Sequence, residues 1–152
     1  MTTIAWDGRY IAADSLQGSS DYNIQEPAMK LWRRDSLVYA ITGYFAWFEA
    51  WIKWYEAGSD PTNIPICKDS DCGNFIVFKE NRCFMFCNEF PYADEQFAPC
   101  AFGSGRKYAL GVMHYGGSAK NAVEVCCKID PGSGGPILVY DLFEFQKKAD
   151  AA

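Results

Sequence analysis

Histidine is almost absent from this sequence. Among the 152 residues, only His114 carries an imidazole. Ser–His–Asp and Cys–His sites need a histidine beside the nucleophile, and catalytic zinc sites are commonly built from two or three histidines. Histidine-based triads and multi-histidine metal sites are therefore poor hypotheses for this protein.

Long apolar runs and an excess of positive charge are also missing. No run approaches the length of about 20 residues that spans a membrane, and no signal peptide opens the chain, so we expect a cytoplasmic protein without a membrane partner. Fourteen basic and nineteen acidic residues leave a net charge of −5, which argues against a nucleic-acid partner. Because 49% of the residues are hydrophobic, the chain can bury a substantial core, and intrinsic disorder is excluded.

Cysteine, in contrast, is abundant, and its seven copies form an odd set without a secretory signal. This argues against a disulfide framework. The cysteines are Cys67, Cys72, Cys83, Cys87, Cys100, Cys126 and Cys127. The spacing of the first four loosely resembles that of zinc ligands, but the segment from Cys83 to Cys87 has the pattern of a strand with both thiols on one face. We interpret the cysteines as small buried hydrophobic residues and expect no metal and no cofactor.

Local patterns predict strands in hairpins, then helices and a closing strand. Asp7-Gly8 lies between two short apolar segments and is a typical hairpin turn. Apolar residues at helical spacing predict a helix over 45–57 and two helices after Ser104, the second capped by Ser118. The predicted strands cover residues 4–6, 10–13, 29–34, 37–41, 75–78, 83–86 and 137–140. This pattern is typical of the α+β class, in which helices cover antiparallel sheets.

Two segments lack such periodicity. Residues 89–96 are rich in acidic and aromatic side chains, and we predict a loop there. Residues 146–152 are predicted to form a frayed C-terminal tail. The remaining chain, residues 1–145, is predicted to be a single domain.

Two threonines, Thr2 and Thr3, stand directly behind Met1 and run into the first predicted strand. A hydroxyl one peptide bond from the N-terminus has a known chemical use, as a nucleophile activated by its own α-amine. The alternative is that threonine is simply a good strand former. These first residues alone leave both interpretations open.

Three separated motifs stand in one order along the chain. They are Thr2-Thr3-Ile4 leading to Ala12-Ala13-Asp14, then Lys30 sixteen residues later with Gly43 after the next strand, and finally Gly103-Ser104-Gly105 and Asp130-Pro131-Gly132-Ser133. In this order the set resembles the proteasome β-subunit family of N-terminal-nucleophile (Ntn) hydrolases, which includes the bacterial HslV peptidase. It is most similar to the short proteasome-like proteins of bacteriophage and prophage genomes. The resemblance runs over almost the whole chain, although residues 58–98 are not diagnostic.

The resemblance implies a fold and partners. The family has a four-layer αββα sandwich of two antiparallel sheets, so residues 1–145 are expected to be one proteasome-like domain. It also implies a threonine peptidase that assembles into a homo-oligomeric ring, acts on a peptide or unfolded protein, and has a possible ATPase unfoldase as partner. We expect the aromatic-rich surface near residues 44–55 to take part in ring contacts.

The resemblance also assigns the central chemistry. Thr2 matches the catalytic threonine, which is exposed once Met1 is removed, and the freed amine accepts the proton of its hydroxyl directly or through water. Lys30 matches the lysine whose charge favours the alkoxide, and Asp14 matches its partner. The backbone N–H of Gly43 is the candidate oxyanion donor. We expect Thr2, Asp14 and Lys30 to lie on neighbouring strands of the first sheet.

Ser104, Asp130 and Ser133 match the supporting residues that hydrogen-bond around the threonine amine. Individually, each has a simpler interpretation: Ser104 as a helix cap, Asp130 and Ser133 as turn formers. Likewise, the lysine–aspartate pair read alone could be a surface ion pair of little energetic value. Thr3 is expected to matter little, so that its replacement by alanine should be mild. The segment between the first threonine and the aspartate is shorter than in HslV, which a shorter first hairpin can absorb.

Three functions remain in competition at this point. The first is the threonine peptidase. The second is a catalytically silent, phage-encoded binding protein that keeps the fold and sequesters a host molecule or peptide. The third is an amide hydrolase of the same nucleophile class that acts on a small amide. If Met1 stays attached, the nitrogen of Thr2 is an amide and cannot act as a base, so removal of Met1 separates the first function from the second.

Overall fold

The computed structural model describes residues 1–18, 23–24, 27–66 and 73–151. Its strands are β1 (Thr3–Trp6), β2 (Tyr10–Ala13), β3 (Gln17–Gly18), β4 (Asn23–Ile24), β5 (Leu31–Arg34), β6 (Leu37–Ile41), β7 (Phe75–Lys79), β8 (Arg82–Cys87), β9 (Phe90–Gln96), β10 (Cys100–Gly103) and β11 (Leu138–Asp141). Its helices are α1 (Phe48–Glu56), α2 (Arg106–His114), α3 (Ala119–Ile129) and α4 (Leu142–Asp150), with 3₁₀ turns at Phe45–Trp47 and Pro61–Asn63. No helix in these described ranges is long and apolar enough to cross a membrane.

Two antiparallel sheets form the centre of the fold. The four-stranded sheet has the order β10-β1-β2-β11, and the five-stranded sheet has the order β5-β6-β7-β8-β9. Helices α2 and α3 pack on the first sheet, and α1 packs on the second. The predicted α+β class and the four-layer αββα arrangement are therefore confirmed.

Strand alternation explains how one short hairpin serves two interfaces. In β1, Ile4 and Trp6 point into the core between the sheets, whereas Ala5 between them faces helices α2 and α3. In β2, Ile11 faces the inter-sheet core and Ala12 faces the helices. The large side chains fill the space between the sheets, and alanine lets the helices approach closely. Each fully buried isoleucine stabilises the fold by about 1.5–3 kcal/mol.

Helix α1 buries the aromatic face that the sequence predicted. Phe48, Trp51 and Ile52 are almost completely buried against the outer face of the five-stranded sheet. The ring of Trp51 stacks on that of Phe75 in β7, with centroids 5.5 Å apart. The tryptophans of this helix therefore belong to the core.

The segment predicted as a loop at residues 89–96 is a strand, and the prediction was wrong. Strand β9 pairs with β8, with Cys83 opposite Gln96, and forms one edge of the five-stranded sheet. Arg82 of β8 and Glu95 of β9 form a bidentate ion pair, with N···O distances of 2.7 and 2.8 Å. Exposed charged side chains hide the apolar alternation of a strand, so pairing with β8 decides this structure.

The chain also continues as helix α4 where a frayed tail was expected from residue 146. Asp141 accepts a hydrogen bond from the backbone N–H of Phe143 at the start of this helix and forms an ion pair with Arg9 at 2.7 Å. Leu142 is buried in the inter-sheet core. These contacts tie the helix start to the first hairpin, which local sequence does not reveal. The boundary at residue 145 falls inside the helix.

Five of the seven cysteines lie in described residues, and all five are free thiols. Cys83, Cys100 and Cys126 are buried, and burial raises the pKa of Cys83 far above its ordinary value. No cluster that could hold a metal occurs among the described residues. Cys67 and Cys72 lie outside them, so the absence of zinc stays a prediction.

Candidate active site

The pairing of β1 with both neighbours brings three polar segments to one end of the four-stranded sheet. Thr3 lies opposite Gly103 of β10, and Ile4 lies opposite Ala13 of β2. Ser104 follows β10 and Asp14 follows β2, so both flank the N-terminus of β1. The buried Thr2 directly precedes β1, and its carbonyl oxygen lies 3.3 Å from Ser104 Oγ.

Lys30 reaches this cluster from the other sheet, which corrects the expectation that it lies on a neighbouring strand of the first. It immediately precedes β5, an edge strand of the five-stranded sheet. Its Nζ lies 2.9 Å from both carboxylate oxygens of Asp14. The Lys30 and Asp14 side chains are only 5% and 0% exposed, so this is a buried ion pair and not a surface one.

The carboxylate of Asp14 is fully supplied with donors. Besides Lys30, its Oδ1 accepts from the N–H of Thr3 at 2.8 Å, and its Oδ2 accepts from the N–H groups of Leu16 and Gly134 at 3.1 Å each. Such a set offsets the cost of removing a carboxylate from water. Burial lowers the pKa of Lys30, and the charge of Asp14 offsets only part of this effect. The lysine is therefore a cation held in place whose proton is more easily lost than that of a free lysine.

The third Lys30 contact identifies what its ammonium faces. Nζ donates to the carbonyl oxygen of Met1 at 3.0 Å, which is the carbonyl joined to the nitrogen of Thr2. Met1 packs closely over Gly132, where an added Cβ would lie 2.5 Å from the Cβ and 2.7 Å from the Sδ of Met1. The lysine thus stands beside the peptide bond that must be broken to free the Thr2 amine.

On the other side of Thr2, one carboxylate organises two hydroxyls. Asp130 Oδ2 accepts from Ser133 Oγ at 2.6 Å and from Ser104 Oγ at 2.8 Å, and Oδ1 accepts from the N–H of Gly132 at 3.3 Å. Burial acts to raise the pKa of Asp130, but these hydrogen bonds outweigh it, and the pKa lies below its ordinary value. Asp130 is thus a carboxylate at neutral pH.

The loop that carries this carboxylate begins where α3 must end. Asp130 is the C-terminal cap of α3 and has extended backbone angles, as expected for a residue before proline. The N–H of Asp130 still donates to the carbonyl of Cys126 at 2.8 Å, and the N–H of Ser133 donates to the carbonyl of Asp130 at 3.0 Å. The turn therefore brings Ser133 back towards the strand that begins with Thr3.

Gly43 is the candidate site residue whose position is given only by the sheet register. It lies just past the end of β6 with a φ of 88°, and it is exposed. Leu31 is opposite Ala40 in the β5–β6 pair, so the segment at Gly43 runs beside the segment that carries Lys30. Its role as an oxyanion donor stays a prediction.

Thr3 also belongs to the cluster, through contacts that the sequence did not reveal. It is completely buried, and its hydroxyl oxygen lies 2.5 Å from Ser133 Oγ. Its N–H is one of the donors to Asp14. The signal was present in the paired threonines, but strand propensity explained the second one equally well.

A surface cavity of about 410 Å³ lies elsewhere. Tyr55, Arg82 and Phe84 are among its lining residues, and none of the predicted site residues borders it. It opens at the end of β7 and the start of β8, whereas the chain at Gly43 lies near the start of β7. The polar cluster around Thr2, and not this cavity, is therefore the candidate active site.

We expect Gly103→Ala to disrupt the site far more than a matched glycine replacement. Gly103 has a φ of 89°, and a Cβ there would overlap the backbone carbonyl of Thr2. Gly116 has a φ of 99° but nothing within 4 Å of the added Cβ, so Gly116→Ala reports the backbone strain alone. Urea denaturation should show Gly103→Ala losing at least about 2 kcal/mol more than Gly116→Ala. Equal losses would contradict the close approach of β10 to Thr2.

The fold is similar to those of solved structures with related architecture. Thiobacillus denitrificans BPH is 22% identical with a TM-score of 0.65, over 93% of this chain and 97% of that chain. A structure of Thiobacillus denitrificans BPH in complex with epoxomicin gives 17% identity and a TM-score of 0.64, over 93% and 98%. Eukaryotic HslV from Trypanosoma brucei is 16% identical with a TM-score of 0.69, over 91% of this chain and 97% of that chain. No protein-family model and no curated protein matches the sequence. These likenesses establish the fold: the chain is an αββα sandwich of the HslV and proteasome type.

Proposed function

We propose that this protein is a threonine peptidase of the HslV and proteasome type, with Thr2 as its N-terminal nucleophile. The observation that carries the proposal is the position of Lys30. Its ammonium is held by the buried carboxylate of Asp14 and donates to the carbonyl joined to the nitrogen of Thr2. A buried cation at this position would favour the alkoxide form of the neighbouring hydroxyl and so support its activation.

In the proposed reaction, removal of Met1 first converts the nitrogen of Thr2 from an amide into a free amine. The amine takes the hydroxyl proton while Oγ1 attacks the substrate carbonyl, and Lys30 stabilises the developing negative charge on that oxygen. The backbone N–H of Gly43 donates to the oxyanion. Collapse breaks the peptide C–N bond, the leaving amine takes a proton, and water then hydrolyses the ester on Thr2.

The Ser104–Asp130–Ser133 group serves this reaction by holding the amine. Asp130 is ionised and accepts from both serine hydroxyls, and the Ser104 oxygen lies 3.3 Å from the carbonyl oxygen of Thr2. Two serines anchored on one carboxylate can orient the amine so that its lone pair points to the hydroxyl. Removal of Met1 also frees the third hydrogen bond of Lys30, which then becomes available to the nucleophile or the substrate.

Mass spectrometry tests the proposal in two steps. The intact mass of the purified protein shows whether Met1 is removed. The processed protein is then incubated with epoxomicin, the ligand in one of the similar structures, and with a panel of fluorogenic peptides. An epoxomicin adduct mapped to Thr2, together with peptide hydrolysis, supports the peptidase. Absence of both in processed protein would contradict it.

We further expect the protein to assemble into a homo-oligomeric ring. Heterologous contacts that close generate such rings, and a chambered peptidase needs one to enclose its sites. Tyr44 and Phe45, in the surface expected to contribute contacts, are 59% and 41% exposed in the single chain. Light scattering and native mass spectrometry should give a discrete oligomer, to which an ATPase unfoldase could deliver unfolded protein. A monomer at all concentrations would contradict the ring.

A second candidate is a catalytically silent, phage-encoded binding protein with the same fold. The observation that favours it is the occupancy of Lys30 while Met1 is attached: two of its hydrogen bonds go to Asp14 and the third to the carbonyl of Met1. A chain that keeps Met1 therefore lacks the free amine that would act as base, and all three hydrogen bonds of its Lys30 ammonium are used. Retention of Met1 in the purified protein would favour this candidate. A processed protein that forms the adduct on Thr2, but when unmodified hydrolyses small amides and no peptides, would instead be an amide hydrolase.

A further inference from the structure

Thr3 uses all of its polar atoms inside the site. Its N–H donates to Asp14 Oδ1 at 2.8 Å, and its carbonyl accepts from the N–H of Asp14 at 3.1 Å. Its hydroxyl meets Ser133 Oγ at 2.5 Å, across 130 residues of sequence. A strand former that only filled space would not need the third contact.

The direction of the hydroxyl contact follows from its neighbours. Ser133 Oγ lies 2.6 Å from Asp130 Oδ2, and an ionised carboxylate can only accept, so the proton of Ser133 points to Asp130. Thr3 must therefore donate to Ser133. The result is a chain of hydrogen bonds from Thr3 through Ser133 to the carboxylate, which Ser104 joins from the other side.

The hydroxyl of Thr3 also has little freedom to point elsewhere. A Cβ added at Gly105 would overlap Thr3 Oγ1, so the turn after β10 closes over this atom. Thr3 is completely buried. Packing thus holds its rotamer, and a group held in this way can transmit a fixed position to Ser133.

We propose that Thr3 is a positioning residue that links the two halves of the site, and this inference rests on the proposed function. Its backbone holds the Asp14–Lys30 ion pair on one side, and its hydroxyl holds the Ser133–Asp130 pair on the other. Thr2, the preceding residue of the chain, lies between them. Thr3 thereby fixes where the amine and hydroxyl of Thr2 stand relative to Lys30. This proposal differs from the expectation, drawn from the sequence, that replacement of Thr3 is mild.

The test compares two replacements of Thr3 in processed protein. Thr3→Val keeps the shape and removes the hydroxyl, whereas Thr3→Ser keeps the hydroxyl. We expect Thr3→Val to lower kcat by about 10–100-fold with KM changed less than about twofold, because misplacement of a reacting group costs this much without affecting binding. Thr3→Ser should restore kcat to within about threefold of the wild type. Thr62→Val is the control. It removes an exposed hydroxyl that donates to the Asp60 carboxylate at 2.7 Å, and it should leave kcat unchanged.

Coupling with Ser133 separates positioning from a loss of packing. If Thr3 acts through Ser133, Thr3→Val should cost kcat almost nothing further in a Ser133→Ala background. Additive losses, or a Thr3→Val enzyme as fast as the wild type, would overturn the proposal. An enzyme slowed equally by Thr3→Val and Thr3→Ser would also overturn it, because the hydroxyl would then not be the group that matters.

Crystal structures of the processed proteins decide the inference even without turnover. In Thr3→Ser we expect Ser133 and the Thr2 amine to keep their wild-type positions, and in Thr3→Val we expect Ser133 to turn away from Asp130. Unchanged Ser133 and Thr2 in Thr3→Val would overturn the positioning role. The two proposals can fail separately. Absence of an epoxomicin adduct on the processed wild type would contradict the peptidase, whereas unchanged positions of Ser133 and Thr2 in Thr3→Val would contradict the role of Thr3.

Discussion

Thr2→Ala is expected to abolish hydrolysis and the epoxomicin adduct while the fold persists. The variant deletes the only atom that can form the ester intermediate, and loss of a nucleophile costs at least about 10⁴-fold in kcat. The backbone of residue 2 is unchanged and residue 2 precedes β1, so the free energy of unfolding should change by less than about 1 kcal/mol. Fluorogenic peptide hydrolysis and urea denaturation measure the two effects.

Thr2→Ser is the matched control for this experiment. It keeps a hydroxyl on the N-terminal residue and loses one methyl group, so it should keep a measurable part of the activity and still form the epoxomicin adduct. Intact masses must show that Met1 is absent from the wild type and from both variants, because an attached Met1 blocks the amine in all of them. A Thr2→Ala protein that hydrolyses peptides as fast as the wild type would place the nucleophile elsewhere.

Lys30→Ala is expected to damage both activity and stability. Removal of the ammonium leaves the hydroxyl without the charge that favours its alkoxide, and kcat should fall by about 10³-fold or more. It also leaves the fully buried carboxylate of Asp14 without its counter-charge. Breaking a buried pair costs about 3–5 kcal/mol, and the three backbone donors to Asp14 place the expected loss at the lower end.

Two further variants distinguish these effects. Lys53→Ala removes an exposed lysine whose Nζ is 3.7 Å from Glu49, and it should cost less than about 1 kcal/mol and no activity. In the double variant of Lys30→Ala with Asp14→Asn, the stranded charge is gone, so part of the stability should return while activity does not. Because both Asp14 oxygens accept from backbone N–H groups and an asparagine amide nitrogen cannot, the recovery should be incomplete.

Local sequence patterns were sufficient for most elements. The Asp7-Gly8 turn, the aromatic face of α1 and the two helices after Ser104 appear as expected, because each depends on residues a few positions apart. Strand β9 and helix α4 were missed for the opposite reason. Pairing with β8 stabilises β9, and the ion pair of Arg9 with Asp141 stabilises the start of α4. These contacts involve distant segments, so they produce no periodic pattern within residues 90–96 or 142–150.

The candidate site divides in the same way. The order of its polar residues along the chain carried the resemblance that pointed to the fold, to Thr2 and to a pairing of Lys30 with Asp14. The sequence could not tell a buried ion pair from a surface one, nor that the lysine comes from the second sheet. Those properties depend on how the two sheets stack, which no local pattern encodes.

By itself, then, the sequence determined the α+β class, because burial patterns are local. Through its resemblance to the proteasome β-subunit family it also implied the αββα layering and most of the residues gathered around the N-terminus. Only the tertiary structure decided the place of Thr3. A threonine at the start of a strand has the same pattern whether it fills space or donates to a serine 130 residues away. That distinction arises only when the turn after α3 packs against β1 and closes the network on Asp130, since hydrogen bonds between distant segments exist only in the folded chain.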